Sequence, residues 1–199
     1  AIYYLTEGNV TVNMFYPTTL KVDENVTLTQ SLDFQSQQEA LFTIKGNKNF
    51  TLSLRKPDWA NDVEIYYNGQ LLDITEENGY FNITKDFKDG DTISYKVPFE
   101  YRLVNLKGHE NTYAIMYGPT LYVCDLGSDQ VYDQQPNQLN FGTGYTGNIV
   151  DKIVLADETL ASSASVSVDQ NNQITMIVRT DNQGDLTFRP FNQVFHSRY

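Results

Sequence analysis

Apolar residues recur at every second position along most of the chain, the period of a strand with one buried face. Val10, Val12, Met14 and Tyr16 alternate with Thr11, Asn13 and Phe15, and Pro17, which has no N–H to donate, ends the run. Phe50, Leu52 and Leu54 repeat the pattern until Lys56-Pro57 breaks it in the same way. Val63, Ile65 and Tyr67 make a third run. Asn68-Gly69 then supplies the positive φ angles of a type I′ hairpin turn and returns the chain into Leu71-Leu72. Asn78-Gly79 and Asp89-Gly90 predict two further turns, flanking Phe81-Ile83 and Ile93-Tyr95-Val97. Strands arriving at this spacing predict an antiparallel β-sandwich, and the fold class is all-β.

The alternation pauses between Pro98 and Gly108, where Arg102, Asn105, Lys107 and His109 interrupt the apolar positions. This pause predicts two consecutive sandwich domains, residues 1–102 and 103–199. In the second half Tyr113, Ile115 and Tyr117 resume the period, Gly118-Pro119 turns the chain, and Leu121 to Cys124 continues extended. Residues 127–148 are rich in Gly, Gln, Asn and Asp without a period and predict a long surface loop. Strand signals return at Ile149–Leu155, Ser165–Val168 and Ile174–Val178, with Asn171-Asn172 as a hairpin turn.

Composition narrows the function more than the fold. Of 199 residues, 40% are hydrophobic and 13% aromatic, enough for a packed core. The formal net charge is −11, the wrong sign for phosphate backbones or anionic lipid, so neither nucleic acid nor a membrane surface is an expected partner. No apolar run approaches the about 18 residues of a membrane span. A single cysteine, Cys124, excludes an internal disulfide and any thiolate-rich zinc site.

Candidate chemistry is sparse. His109, His196 and Cys124 lie far apart in sequence with no metal-ligand spacing, and Cys124 sits on an apolar strand, as a small buried hydrophobe does. Glu76-Glu77, the Asp86, Asp89, Asp91 group, and Asp181 with Asp185 all stand beside Gly or Asn, where acidic side chains satisfy turn backbone. No nucleophile elbow, phosphate loop or metalloprotease helix motif occurs. The expectation is therefore no catalytic residue and no metal ligand. Aromatics remain as possible platforms for a sugar ring: Trp59, Tyr66, Tyr67, Tyr80, Tyr132 and Tyr145. Of each adjacent strand pair one must face outward, so either Tyr66 or Tyr67 does. Trp59, Tyr132 and Tyr145 are the candidate carbohydrate-binding residues, with packing as the competing role for Trp59. The N-x-S/T triplets at Asn9, Asn25, Asn49 and Asn82 are at the frequency expected of an Asn-rich chain.

One ordered set of motifs points to a family. Val12-Asn13-Met14-Phe15-Tyr16-Pro17, Leu54-Arg55-Lys56-Pro57-Asp58-Trp59-Ala60, Asn68-Gly69, Gly79-Tyr80, Asp89-Gly90-Asp91, Pro98, Arg102 and Tyr117-Gly118-Pro119 resemble the β-sandwich region of glycoside hydrolase family 127, the β-L-arabinofuranosidase-like proteins. Phe188-Arg189-Pro190-Phe191 and Ser197-Arg198-Tyr199 are similar to its terminal segment. The resemblance implies a bacterial, cytoplasmic or secreted polypeptide whose chemistry resides in an N-terminal (α/α)6 barrel. There it implies a cysteine nucleophile, a glutamate acid/base and a zinc ion held by cysteines and a glutamate. None of these motifs can be placed on the present sequence, and Cys124 is not at the nucleophile's position. The resemblance therefore implies a non-catalytic accessory region, excised from a longer chain, that carries no cofactor of its own and braces the barrel of the same polypeptide. The alternative is a carbohydrate-binding module contacting plant-type, arabinose-containing glycans through exposed aromatics.

Overall fold

Alternating runs become strands where two sheets can share their inward-facing residues, and the first half of the chain does this. The computed structural model describes residues 1–33, 38–110, 112–124, 153–168 and 174–194. They fall into two compact units, Ala1–Phe99 and Glu100–Tyr199, so Tyr101 and Arg102 belong to the second unit.

The first unit holds β1 (Tyr3–Thr6), β2 (Asn9–Val12), β3 (Thr18–Lys21), β4 (Thr27–Asp33), β5 (Glu39–Lys45), β6 (Lys48–Arg55), β7 (Glu64–Tyr67), β8 (Gln70–Leu71), β9 (Glu76–Glu77), β10 (Tyr80–Phe87) and β11 (Thr92–Lys96). One sheet has the order β1-β2-β6-β10-β9 and the other β3-β4-β5-β11-β7-β8. All pairs are antiparallel except β2 with β6. The core takes Val10, Val12, Phe50, Leu52, Leu54, Phe81, Ile83 and Phe87 from the first sheet. From the second it takes Leu28, Ala40, Phe42, Ile44, Ile65, Ile93 and Tyr95. These are the inward positions of their strands, as the pleat requires.

Three local features depart from the sequence expectation. β4 and β5 occupy a stretch where no strand is read from the pattern; in β4 Gln30 stands between Leu28 and Leu32 on the inward face, whereas β5 keeps an unbroken inward Ala40, Phe42 and Ile44. Gln30 is buried, and its Nε2 donates to the carbonyls of Met14 and Tyr16. The first run stops at Val12 and its phase reverses: Phe15 turns inward, 4.7 Å from the Tyr95 ring, while Met14 and Tyr16 are exposed. Finally, β12 (Tyr101–Asn105) lies within the apparent pause.

β12 opens the second unit, followed by β13 (Tyr113–Tyr117), β14 (Thr120–Cys124), a short helix α1 (Leu160–Ser163), β15 (Ala164–Val168), β16 (Ile174–Thr180) and β17 (Gly184–Pro190). Among the described residues these strands form one antiparallel sheet, β12-β13-β14-β17-β16-β15. Tyr122, Leu160, Met176, Val178 and Phe188 make its core, with Tyr101, Tyr117 and Cys124 packed against them. Thr159 caps α1 through a reciprocal pair of contacts with Ser162. The long loop at 127–148, the Asn171-Asn172 turn, His196 and the terminal Ser197-Arg198-Tyr199 lie outside the described residues.

The turns follow their chemistry. Asn68 and Gly69 have φ of 49° and 79°, and Asn78 and Gly79 have 53° and 84°, the paired positive values of type I′ turns. Gly46 has a second constraint beyond its φ of 95°: a Cβ there would lie 2.2 Å from the Asn25 carbonyl oxygen. Gly69→Ala, with open space around the site, is expected to cost about 1 kcal/mol for the left-handed backbone alone. Gly46→Ala must also displace backbone and should lower stability at least twice as much. Urea midpoints of the two variants check this; equal shifts would refute the role of the Asn25 contact.

Candidate functional site

The tyrosine pair on β7 divides as the pleat demands. Tyr67 turns toward the core side, its ring 6.2 Å from Phe87, and its hydroxyl donates to Asp91 Oδ2 at 2.7 Å. Tyr66 lies on the opposite face, donates to Glu64 at 2.7 Å, and has Lys96 Nζ 5.1 Å from its ring centroid. Donating to a carboxylate raises the pKa of both phenols, an effect that burial reinforces. Tyr80, on β10, donates to Asn13 Oδ1. Trp59 follows the Lys56-Pro57 break, where Ala60 N–H donates to the Pro57 carbonyl. It is half-buried against the core and meets Phe99 edge-on at 5.7 Å. Trp59 thus has a packing role within its unit, while Tyr132 and Tyr145 lie outside the described residues.

Beside Tyr66 is a cavity of about 330 Å³ lined by Gln38, Asp62, Glu64, Lys96, Val97 and Pro98. Lys96 is the direct cross-strand partner of both Glu64 and Glu39. Gln38 and Asp62 have φ of 54° and 40°, uncommon for residues with side chains. Two carboxylates, an ammonium and an amide can hydrogen-bond a polar molecule here. They do not make a nucleophile with its base, and the first unit contains no histidine or cysteine.

The acidic turn after β10 is committed to structure. Asp89 Oδ1 accepts from Gly46 N–H at 2.8 Å, and Asp89 N–H donates to Asn47 Oδ1. Asp91 accepts from Asn68 Nδ2, the Tyr67 hydroxyl and Lys88 N–H at 2.7–2.8 Å, and Asp86 pairs with Lys88. Burial alone would raise the Asp91 pKa. The bonds from Asn68, Lys88 N–H and Tyr67, with the Lys88 charge, outweigh it and hold the carboxyl below its usual range.

The second unit supplies His109, on the loop between β12 and β13, and Cys124, partly buried on β14. Among the described residues no group of three or more His, Cys, Asp or Glu side chains is placed to hold a metal ion. The thiolate-rich zinc centre implied by the sequence resemblance does not fit this donor set, whose one cysteine packs into an apolar cluster.

Residues 9–99 match the family described as Beta-L-arabinofuranosidase, GH127 middle domain. The first unit matches a GH127 middle domain. The match ends at Phe99, the last residue of that unit. Among solved structures, a GH127 β-L-arabinofuranosidase from Geobacillus stearothermophilus T6 shares the fold at 18% identity and a TM-score of 0.68, over 96% of this chain and 32% of that one. A GH127 β-arabinofuranosidase shares it at 20% identity and a TM-score of 0.66, over 96% and 33%. A glycoside hydrolase does so at 17% identity and a TM-score of 0.70, over 100% and 35%. The chain therefore spans about one third of the length of each of these relatives. No curated protein matches it.

In this GH127-type unit Asp91 is a structural carboxylate, and pH should report that. A depressed carboxyl contributes stability above its unfolded pKa of about 3.9 and loses it as pH falls through the lower folded value. Asp91→Asn should cost about 2 kcal/mol at pH 7, and the gap from the unsubstituted protein should close as pH falls below about 4. Denaturant midpoints across that range measure it; a gap independent of pH would contradict an ionised Asp91.

Proposed function

We propose that the chain is a non-catalytic accessory region of a GH127-type glycoside hydrolase and that it braces the catalytic part of the same polypeptide. The carrying observation is a set of large apolar side chains left exposed on β1, one to each face, and on the segment that follows β2 in the first unit. Tyr4, Leu5, Met14 and Tyr16 are 53%, 47%, 52% and 61% exposed. Their backbone is fixed: Asn13 and Met14 N–H donate to the Ile2 carbonyl, and Gln30 holds the Met14 and Tyr16 carbonyls. Large side chains held rigidly outward suit burial against a partner surface better than solvation. The absence of histidine and cysteine from this unit, and the family description of its match as a middle domain, support the same reading. On this reading the barrel expected from the sequence resemblance is the partner, and any cysteine, glutamate and zinc chemistry belongs to that barrel.

Replacing Leu5 and Met14 by Asp separates bracing from folding. In the isolated chain these exposed positions should tolerate the change to within about 0.5 kcal/mol. In the longer polypeptide the same substitutions should lower the melting temperature and the activity together. Unchanged melting and activity in the longer polypeptide would remove the proposal.

A further inference from the structure

The end of the β12–β13 hairpin carries a polar cup, with Asn105 pinning the backbone and His109, Glu110 and Tyr113 around it. A cavity of about 460 Å³ is lined by Asn105, Gly108, His109, Glu110 and Tyr113. Asn105 and Tyr113 are direct cross-strand partners, so their side chains leave the same face of the hairpin. The backbone beneath is pinned: Leu106 N–H donates to the Thr112 carbonyl, His109 N–H to the Leu106 carbonyl, and Asn105 Nδ2 to the carbonyls of His109 and Thr112. Gly108, which also lines the cavity, has φ 86° and no heavy atom within 4 Å of where a Cβ would stand. Tyr113 is 51% exposed.

We infer that this cup binds a neutral sugar residue, with Tyr113 as its platform and His109, Glu110 and the Oδ1 of Asn105 as its hydrogen-bonding rim. A half-exposed phenol ring offers an apolar face for the C–H side of a sugar. Amide, imidazole and carboxylate groups offer both acceptors and donors for hydroxyls. Other ligand classes fit worse. Among the described residues no Lys or Arg lines the cavity, and the chain's net charge is −11, which disfavours phosphate and sulfate. Among the described lining residues His109 and Glu110 are the only imidazole and carboxylate, too few for a His/carboxylate metal site. The volume suits one or two sugar units. The inference rests on the accessory-region reading only for its choice of glycan probe, since its residues belong to the second unit and those of the proposed bracing surface to the first.

The test is a proton NMR titration of the full chain with L-arabinofuranosyl oligosaccharides, following the His109 ring protons; the chain has only two histidines. The result expected is a saturable shift at His109 that Tyr113→Ala weakens about tenfold, Tyr113→Phe largely retains, and Glu110→Gln reduces. The amide spectrum of the remaining residues serves as the folding control. No saturation with the oligosaccharides, an equal response to inorganic phosphate or Ca²⁺, or an unaltered Kd in Tyr113→Ala would each overturn it. So would concentration-dependent self-association through the neighbouring exposed Leu103, Val104 and Leu106 that buries Tyr113. Failure here would leave the bracing proposal standing, because that is read from the melting and activity of the longer polypeptide.

Discussion

One end of the first unit is closed by two crossovers bonded to each other, and the sandwich depends on that closure. The chain passes from β5 in one sheet to β6 in the other through Gly46-Asn47, and from β10 back to β11 through Lys88–Asp91. Ile44 N–H donates to the Asp91 carbonyl and Gly90 N–H to the Ile44 carbonyl. Gly46 donates to the Asp89 side chain, which in turn has its N–H held by Asn47. Asp91 extends the staple to the β7–β8 hairpin through Tyr67 and Asn68, and Asn68 Oδ1 in turn accepts from Thr92 N–H. Phe87, Ile44 and Ile93, all fully buried, lie directly beside this network. Fixing the crossovers sets which sheet each strand joins, so the inward positions of both sheets meet in a single core.

This closure explains what the sequence made readable. Asn-Gly pairs demand positive φ values and announced the β7–β8 and β9–β10 turns without tertiary information. Alternation announced β6, β10 and β11, whose inward residues are aliphatic or aromatic apart from Lys85 of β10, whose Nζ lies 5.1 Å from the Tyr67 ring centroid. Most of the misses rest on a contact remote in sequence. Gln30 is tolerated in the core only because two carbonyls from the 14–16 segment receive its amide, and no local pattern encodes that. Phe15 reverses phase because Phe42 and Tyr95 are there to receive it. The parallel pairing of β2 with β6 joins segments about 40 residues apart, which periodicity cannot register. β12 looked like a pause because Arg102 and Asn105 are spent on turns, Arg102 bonding the Gly118 carbonyl and Asn105 its own loop.

The candidate site was legible in residue type but not in role. The aromatics flagged as sugar platforms have other duties where the structure describes them. Trp59 packs against Phe99, Tyr67 anchors Asp91, and Tyr66 is covered by Lys96 and tied to Glu64. Tyr113, which no sequence signal distinguished from the alternating apolar set, is the half-exposed ring above a polar cup. Alternation assigns a residue to a face, but only the sheet's edge position and the shape of the adjoining loop decide whether that face is covered.

The chemistry of the described residues agrees with the proposed scaffold role. The acidic side chains at the crossovers are engaged by turn N–H groups, the described cysteine is packed, and the first unit, which matches the GH127 middle domain, contains neither of the residue types on which nucleophilic and zinc chemistry most depends. The most direct test is turnover of an aryl β-L-arabinofuranoside by the folded chain alone, with zinc and thiol supplied. The account predicts hydrolysis no faster than in buffer. Saturable hydrolysis that is lost when one acidic residue is replaced would contradict it.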